Sequence, residues 1–181
     1  MKLLKFIFVL FVTVSFTSCG DSDTDAAPFV LSNANISGAY NISSINLDTK
    51  ATSVADVSGV PVPFTVATST STGDTFDFEF ILKADGTYTA SGLYRIVSVI
   101  TPPIGDEVTN SEIISITDSG TFTLNTIDAQ ITFISALDEF LSGTFNILIF
   151  NETVLSLNQE IEEVDDAITT EINASISFIR E

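Results

Sequence analysis

Apolar and polar residues alternate from Thr75 to Lys83 with one exception, Ile81. Phe76, Phe78, Phe80 and Leu82 fall on one side of an extended chain; Asp77, Glu79, Ile81 and Lys83 fall on the other. This period of two predicts a β-strand with one face buried. Ala84-Asp85-Gly86 follows, and Asp-Gly is a hairpin signal because glycine accepts a positive φ. The returning strand is expected over Thr87–Val97. Further strands are expected over Ala39–Leu47, Phe64–Thr70, Gly120–Asn125, Ala129–Ile134, Thr144–Phe150, Thr153–Glu160 and Glu171–Ile179, with tight turns at Thr126–Asp128 and Asn151-Glu152. Threonine, isoleucine, valine, phenylalanine and serine dominate, and long runs of helix-favouring residues are missing. Two segments stand outside this pattern. Ser98–Ser119 carries Thr-Pro-Pro-Ile-Gly-Asp and reads as a long loop with partial strand at Glu112–Thr117. Ala136–Ser142 reads as a helical turn crossing one end.

The start of the chain has a different pattern. Lys2 and Lys5 precede an apolar run from Phe6 to Phe16 that is too short to cross a bilayer core of ~30 Å as a helix. Phe16-Thr17-Ser18-Cys19-Gly20 then places small residues before the only cysteine of the chain. The arrangement is that of a signal peptide ending in a lipobox, with Phe16 where leucine is usual and Cys19 as the lipid attachment point. Three segments are therefore expected: a lipoprotein signal peptide over 1–18, an acidic tether over 19–33 and one β-domain over 34–181. A lone cysteine also excludes a disulfide within the chain. Two or more acyl chains on Cys19 would hold the protein on a membrane, at ~0.8 kcal/mol per buried CH₂.

Charge narrows the range of partners. Six basic residues face 24 acidic ones, a formal charge of −18, and cleavage would remove Lys2 and Lys5 but no acid. Such a surface repels nucleic acid and anionic lipid. Histidine is absent, which removes the commonest general base and any Ser-His-Asp or Cys-His arrangement. No phosphate-binding glycine loop occurs. These missing pieces argue against an enzyme, and no cofactor or metal is expected. Asp21-x-Asp23-x-Asp25 has the opening spacing of a calcium loop, but Ala26 stands where its glycine belongs and Ser32 where its closing glutamate belongs. A solvated linker is the better reading. The acidic run Glu160–Asp166 lacks ligand spacing and reads as a solvated hairpin loop, and Asp77 and Glu79 read as surface charge. Phe76, Phe78 and Phe80 are candidates for lining a ligand cavity, although alternating aromatics more often fill a core. Tyr88, Tyr94 and Arg95 are candidates for a polar recognition group at a barrel mouth.

Several segments together resemble the small lipocalin-like lipoproteins of Bacteroidetes. Ile36-Ser37-Gly38-Ala39-Tyr40-Asn41-Ile42 is similar to the family's Gly-x-Trp start, with Tyr40 in the tryptophan position. Phe80–Tyr88 resembles its central hairpin. Gly120–Leu124 and Phe150–Leu157 follow in the family's order. The acidic residues after Cys19 also resemble surface-export signals of some lipoproteins of that group. The resemblance implies an antiparallel up-and-down meander closing into a barrel of about eight strands, and it implies no particular ligand.

The expectation is thus an all-β, lipocalin-like barrel tethered through Cys19 to the outer membrane, facing the periplasm or the cell surface. Its expected role is to bind a small apolar or amphipathic ligand without catalysis. The alternative is a structural or interaction lipoprotein with a filled barrel, acting through its outer surface and loops. No protein partner is legible. Cys19→Ala is predicted to release the protein from membranes, and labelled palmitate should enter the native chain but not the variant.

Overall fold

A computed structural model describes residues 29–137, 140–165 and 168–181. The signal peptide, Cys19 and the tether up to Pro28 lie outside the described residues. After a one-turn helix α1 (Asn33–Ile36), eight strands follow: β1 (Gly38–Val57), β2 (Val60–Leu82), β3 (Thr87–Thr101), β4 (Val108–Asn125), β5 (Gln130–Ser135), β6 (Gly143–Phe150), β7 (Val154–Asp165) and β8 (Ile168–Arg180). Each pairs antiparallel with its neighbours in sequence, and β8 returns to β1, so the ring is closed. The expected all-β meander is the architecture found.

The alternation in β2 sets the inner face. Phe78, Phe80 and Leu82 are buried while Asp77 and Glu79 are exposed. Registry carries this face around the ring. Leu82 lies opposite Tyr88, Phe80 opposite Ala90 and Phe78 opposite Gly92. Ile42 lies opposite Phe178, and Phe178 opposite Leu155. Residues directly opposite one another share a face, so the interior fills with one apolar cluster. Phe80 sits at its centre, with ring centroids of Phe178 at 5.0 Å, Tyr88 at 5.7 Å, Phe140 at 5.8 Å and Phe133 at 6.0 Å. The outer wall is polar along the same strands: Ser156, Asn158, Glu160 and Glu162 of β7 stand opposite Ser177, Ser175, Asn173 and Glu171 of β8. Elsewhere the outer wall also carries exposed apolar residues, among them Leu93, Ile113, Ile134 and Ile179.

Two glycines let the strands close up. A Cβ at Gly120 would lie 2.2 Å from the Ile134 carbonyl oxygen and 2.8 Å from the Tyr88 ring. Gly92, at φ +137°, lies so close to β2 that a Cβ would reach within 2.2 Å of the Asp77 carbonyl oxygen.

The ends of the barrel differ. Short turns at Ala84–Gly86, Thr126–Asp128 and Asn151–Glu152 close one end, together with the chain entry. Asp85 secures the first of these by accepting from the Thr87 N–H at 3.0 Å and hydroxyl at 2.7 Å. Ile36 of α1 is fully buried in this end. Phe29 packs on Phe150 with centroids 4.8 Å apart, and the Arg180 guanidinium lies over Phe29 and Tyr40. Phe29, ahead of the boundary expected at residue 34, thus already packs on the barrel. At the other end, β1–β2, β3–β4 and β7–β8 rise as long hairpins, while β5 ends at Ser135 and β6 begins at Gly143.

Four sequence expectations are corrected here. The candidates Phe64–Thr70 and Thr75–Lys83 are one strand, β2, interrupted by a bulge at Thr75, which has φ 56°. Most of the expected loop Ser98–Ser119 is strand: β3 runs to Thr101 and β4 starts at Val108. The acidic run expected as a loop is strand as far as Asp165, paired residue for residue with β8. Ala136–Ser142 forms no helix among its described residues; it bends inward and lays Phe140 and buried Leu141 across the core. These segments were misread because hydroxyl and acidic side chains tolerate an extended chain once a neighbouring strand supplies the hydrogen bonds.

The inner face of β2 should dominate stability. Phe78→Ala is predicted to cost ~3–5 kcal/mol, a buried ring plus its cavity. Glu79→Ala, on the outer face, should cost under ~0.5 kcal/mol. Urea unfolding of the two variants checks this, and equal midpoints would contradict the assigned register.

Candidate functional site

The wide end holds a cleft of about 610 Å³. Its walls are three-residue runs from four adjoining strands: Asp48–Lys50, Thr68–Thr70, Glu160–Glu162 and Glu171–Asn173. Register identifies which side chains face inward. Leu157 and Ile176 belong to the core and stand opposite each other; two steps of two along unbroken ladders lead to Ile161 and Ile172. Ile172 stands opposite Thr49, and Thr49 opposite Ser69. The concave surface thus carries two isoleucines and two hydroxyl residues, while Glu160, Glu162, Glu171, Asp48 and Lys50 form the outer wall and rim.

Below this mouth β2 carries a bulge at Thr75. Asp74 lies opposite Arg95 and Phe76 opposite Tyr94, with Thr75 unpaired between them. The extra residue changes which parity of β2 points inward, so Gly73, Ser71 and Ser69 continue the face that Phe76, Phe78 and Phe80 begin. The Phe76 ring lies back over Gly73; a Cβ there would stand 3.0 Å from both the ring and Ile45. Phe76 and Tyr94, with centroids 6.4 Å apart, cap the aromatic column beneath the cleft. Burial raises the Tyr94 pKa, so its hydroxyl stays protonated at neutral pH. Above them Ser71 and Ser98 share a hydrogen bond of 2.7 Å on the inner face.

The sequence candidates therefore separate. Phe78, Phe80 and Tyr88 are buried core residues. Phe76 and Tyr94 pack on each other below the cleft and are not among the residues that line it. Arg95 is on the outer wall, one residue out of phase with Tyr94, where it holds Asp74 through two hydrogen bonds of 2.7 Å. That Arg95 contact, with both partners about half exposed, keeps the Asp74 carboxyl below its ordinary range. Tyr88, Tyr94 and Arg95 do not form one group.

A buried polar cluster was missed in the sequence. Asp118 of β4 is 4% exposed and faces inward. It accepts from the Tyr88 hydroxyl at 3.1 Å, the Ser135 hydroxyl at 2.8 Å and the Ser119 N–H at 2.8 Å. Ser135 in turn accepts from the Leu137 N–H at 3.2 Å. Asp118 thus ties β3, β4 and β5 to the segment that crosses the core. Its signal was its phase: Ile114, Ile116, Asp118, Gly120 and Phe122 are evenly spaced, and a carboxylate in that series falls on the buried side. Among the described residues no three histidine, cysteine, aspartate or glutamate side chains are grouped to hold a metal ion.

No family model and no curated protein matches the chain. Two solved structures align over 81% of this chain and all of theirs: Ail, the attachment invasion locus protein of Yersinia pestis, at 7% identity and TM-score 0.22, and Ail in complex with the heparin analogue sucrose octasulfate, at 8% and 0.24. At these values the likeness carries no argument about what this chain does.

Asp118→Ala removes an acceptor from buried donors, each costing ~1–3 kcal/mol when left unsatisfied. The variant should lose more than ~2 kcal/mol, and Asp118→Asn, which keeps an acceptor oxygen, should lose less. Chemical denaturation checks the order.

Proposed function

We propose that this chain is a lipid-anchored, non-enzymatic binding module of the cell envelope, and that it takes an amphipathic small ligand at its wide mouth. The observation that carries the reading is the division of the interior. The lower barrel is packed around Phe80, while the upper barrel opens into a cleft of about 610 Å³ walled by Ile161, Ile172, Thr49 and Ser69. Small-molecule sites commonly occupy ~300–1,000 Å³ and combine apolar walls with a few polar groups. Around Phe80 ring packs on ring, so the ligand is assigned to the mouth and not to the Phe78–Phe80 stripe.

Polarity of the molecule supports the anchored arrangement. The chain enters at the closed end, where Phe29 meets Phe150. Gly20 to Pro28 can reach at most about 30 Å when fully extended. Acyl chains on Cys19 would hold the closed end towards the outer membrane and turn the mouth away from it. The lipid on Cys19 would supply the membrane contact. The second reading, a structural or interaction lipoprotein acting through its outer surface and loops, draws on the same packed core and on the long hairpins.

An uncharged apolar dye such as Nile red tests the ligand site. Ile161→Glu with Ile172→Glu should weaken dye affinity at least ~10-fold, because a carboxylate in an apolar wall must be desolvated. Ile134→Ser, on the outer wall, should leave it unchanged. Equal affinity in both variants, or no dye binding to the native protein, would contradict the mouth as the site.

A further inference from the structure

The wide end also lacks part of its wall. β4 pairs with β3 from Val108 to Thr121, but with β5 only from Gly120 to Asn125. β7 pairs with β6 only up to Asn158. Above these points β5 and β6 are missing from the ring, and a slot two strands wide, about 14 Å at the usual strand spacing, separates β4 from β7.

Hydrogen-bond phase identifies which groups face the slot. The Ser119 carbonyl accepts from Ala136 on the β5 side, whereas the Phe122 N–H donates to Gly86 on the β3 side. Backbone groups of alternate residues point the same way, and the β3–β4 ladder has no register shift. The N–H and C=O groups of Thr109, Ser111, Ile113 and Ser115 therefore point into the slot, and none has a backbone partner among the described residues. Ile113 leaves its side chain 68% exposed beside them.

The two borders of the slot are unlike. Edge strands are normally blunted by charge, proline or bulges. The β7 border is blunted: Glu160, Glu162, Glu163 and Asp165 fall within its unpaired stretch. The β4 border from Thr109 to Ser115 carries one charge, Glu112, with no proline and no bulge. We propose that this edge of β4 binds an extended, basic segment of another protein by strand addition. Backbone pairing with Thr109, Ser111, Ile113 and Ser115 would supply affinity. One added strand leaves about 10 Å to β7, a gap a lysine or arginine side chain can bridge to reach the glutamates. A second copy of this chain is the poorer occupant, because two bodies each with a formal charge of −18 repel. This inference does not depend on a ligand in the cleft.

The test uses the full-length protein and three synthetic nonapeptides of alternating valine and threonine: one with three lysines, one with three glutamates in their place, and the lysine peptide N-methylated at alternate amides. Amide exchange is read by NMR. The lysine peptide should slow exchange at Thr109, Ser111, Ile113 and Ser115 at least ~10-fold, and the other two peptides should not. Ile113→Pro removes an N–H that faces the slot and not β3, so it should fold with its β3 amides still protected and lose the effect. Glu160→Lys with Glu162→Lys should weaken binding of the lysine peptide and admit the glutamate peptide. No protection by the lysine peptide, equal protection by the N-methylated one, or self-association through this edge on sedimentation would overturn the proposal. If Ile113→Pro fails to fold, the N-methylated peptide decides alone.

Discussion

Filling the barrel interior is the constraint on which the rest of the structure depends. A ring of eight strands leaves a space that side chains must occupy or a ligand must share. Here Phe80 meets that demand, stacked on Phe178 of β8 at 5.0 Å and edge-on to Tyr88 of β3. Phe133 of β5 completes the contact around the ring. One side chain from β2 thereby joins strands distant in sequence, and closure of β1 on β8 becomes the same event as core formation. Burying such a ring contributes ~1.5–3 kcal/mol from area alone, a large share of a domain stability of ~5–15 kcal/mol.

The same packing limits where function can lie. Phe140 and Leu141 cover the aromatic column from one side and α1 closes it from the other. Asp118 fixes the covering segment by holding Ser135 and Tyr88. What is left for recognition is the wide end, where three hairpins outgrow β5 and β6. There the bulge at Thr75 matters most. Without it, the inner face of β2 above Phe76 would be the face that carries Asp74, and an unpaired carboxylate would point into the mouth. With it, Arg95 holds that carboxylate on the outer wall and Gly73 makes room for the Phe76 ring.

The strand-forming face and the turns were legible in the sequence because their signals are local. Phe76, Phe78, Phe80 and Leu82 recur at every second position, and Asp85-Gly86 needs only its own backbone to turn. The heights of the walls were not legible. Ala51–Pro63 has valine, serine and proline with little alternation, and it becomes strand because β1 and β2 pair there along both flanks of Gly59. The acidic stretch of β7 is likewise strand through its pairing with β8. Arg95 was grouped with Tyr88 and Tyr94 by proximity in sequence, although parity alone separates residue 95 from residues 88 and 94. Asp118 was overlooked for the converse reason: phase places it among isoleucines, where its charge is most informative.

The central claim is that the core is full and recognition occurs at the mouth. Intermolecular NOEs from dodecyl maltoside to protein labelled at isoleucine and phenylalanine test it most directly. The account predicts contacts from the alkyl chain to Ile161 and Ile172 and none to Phe80 or Phe178. Contacts to Phe80 or Phe178 would mean that the barrel opens around its aromatic column, and would contradict it.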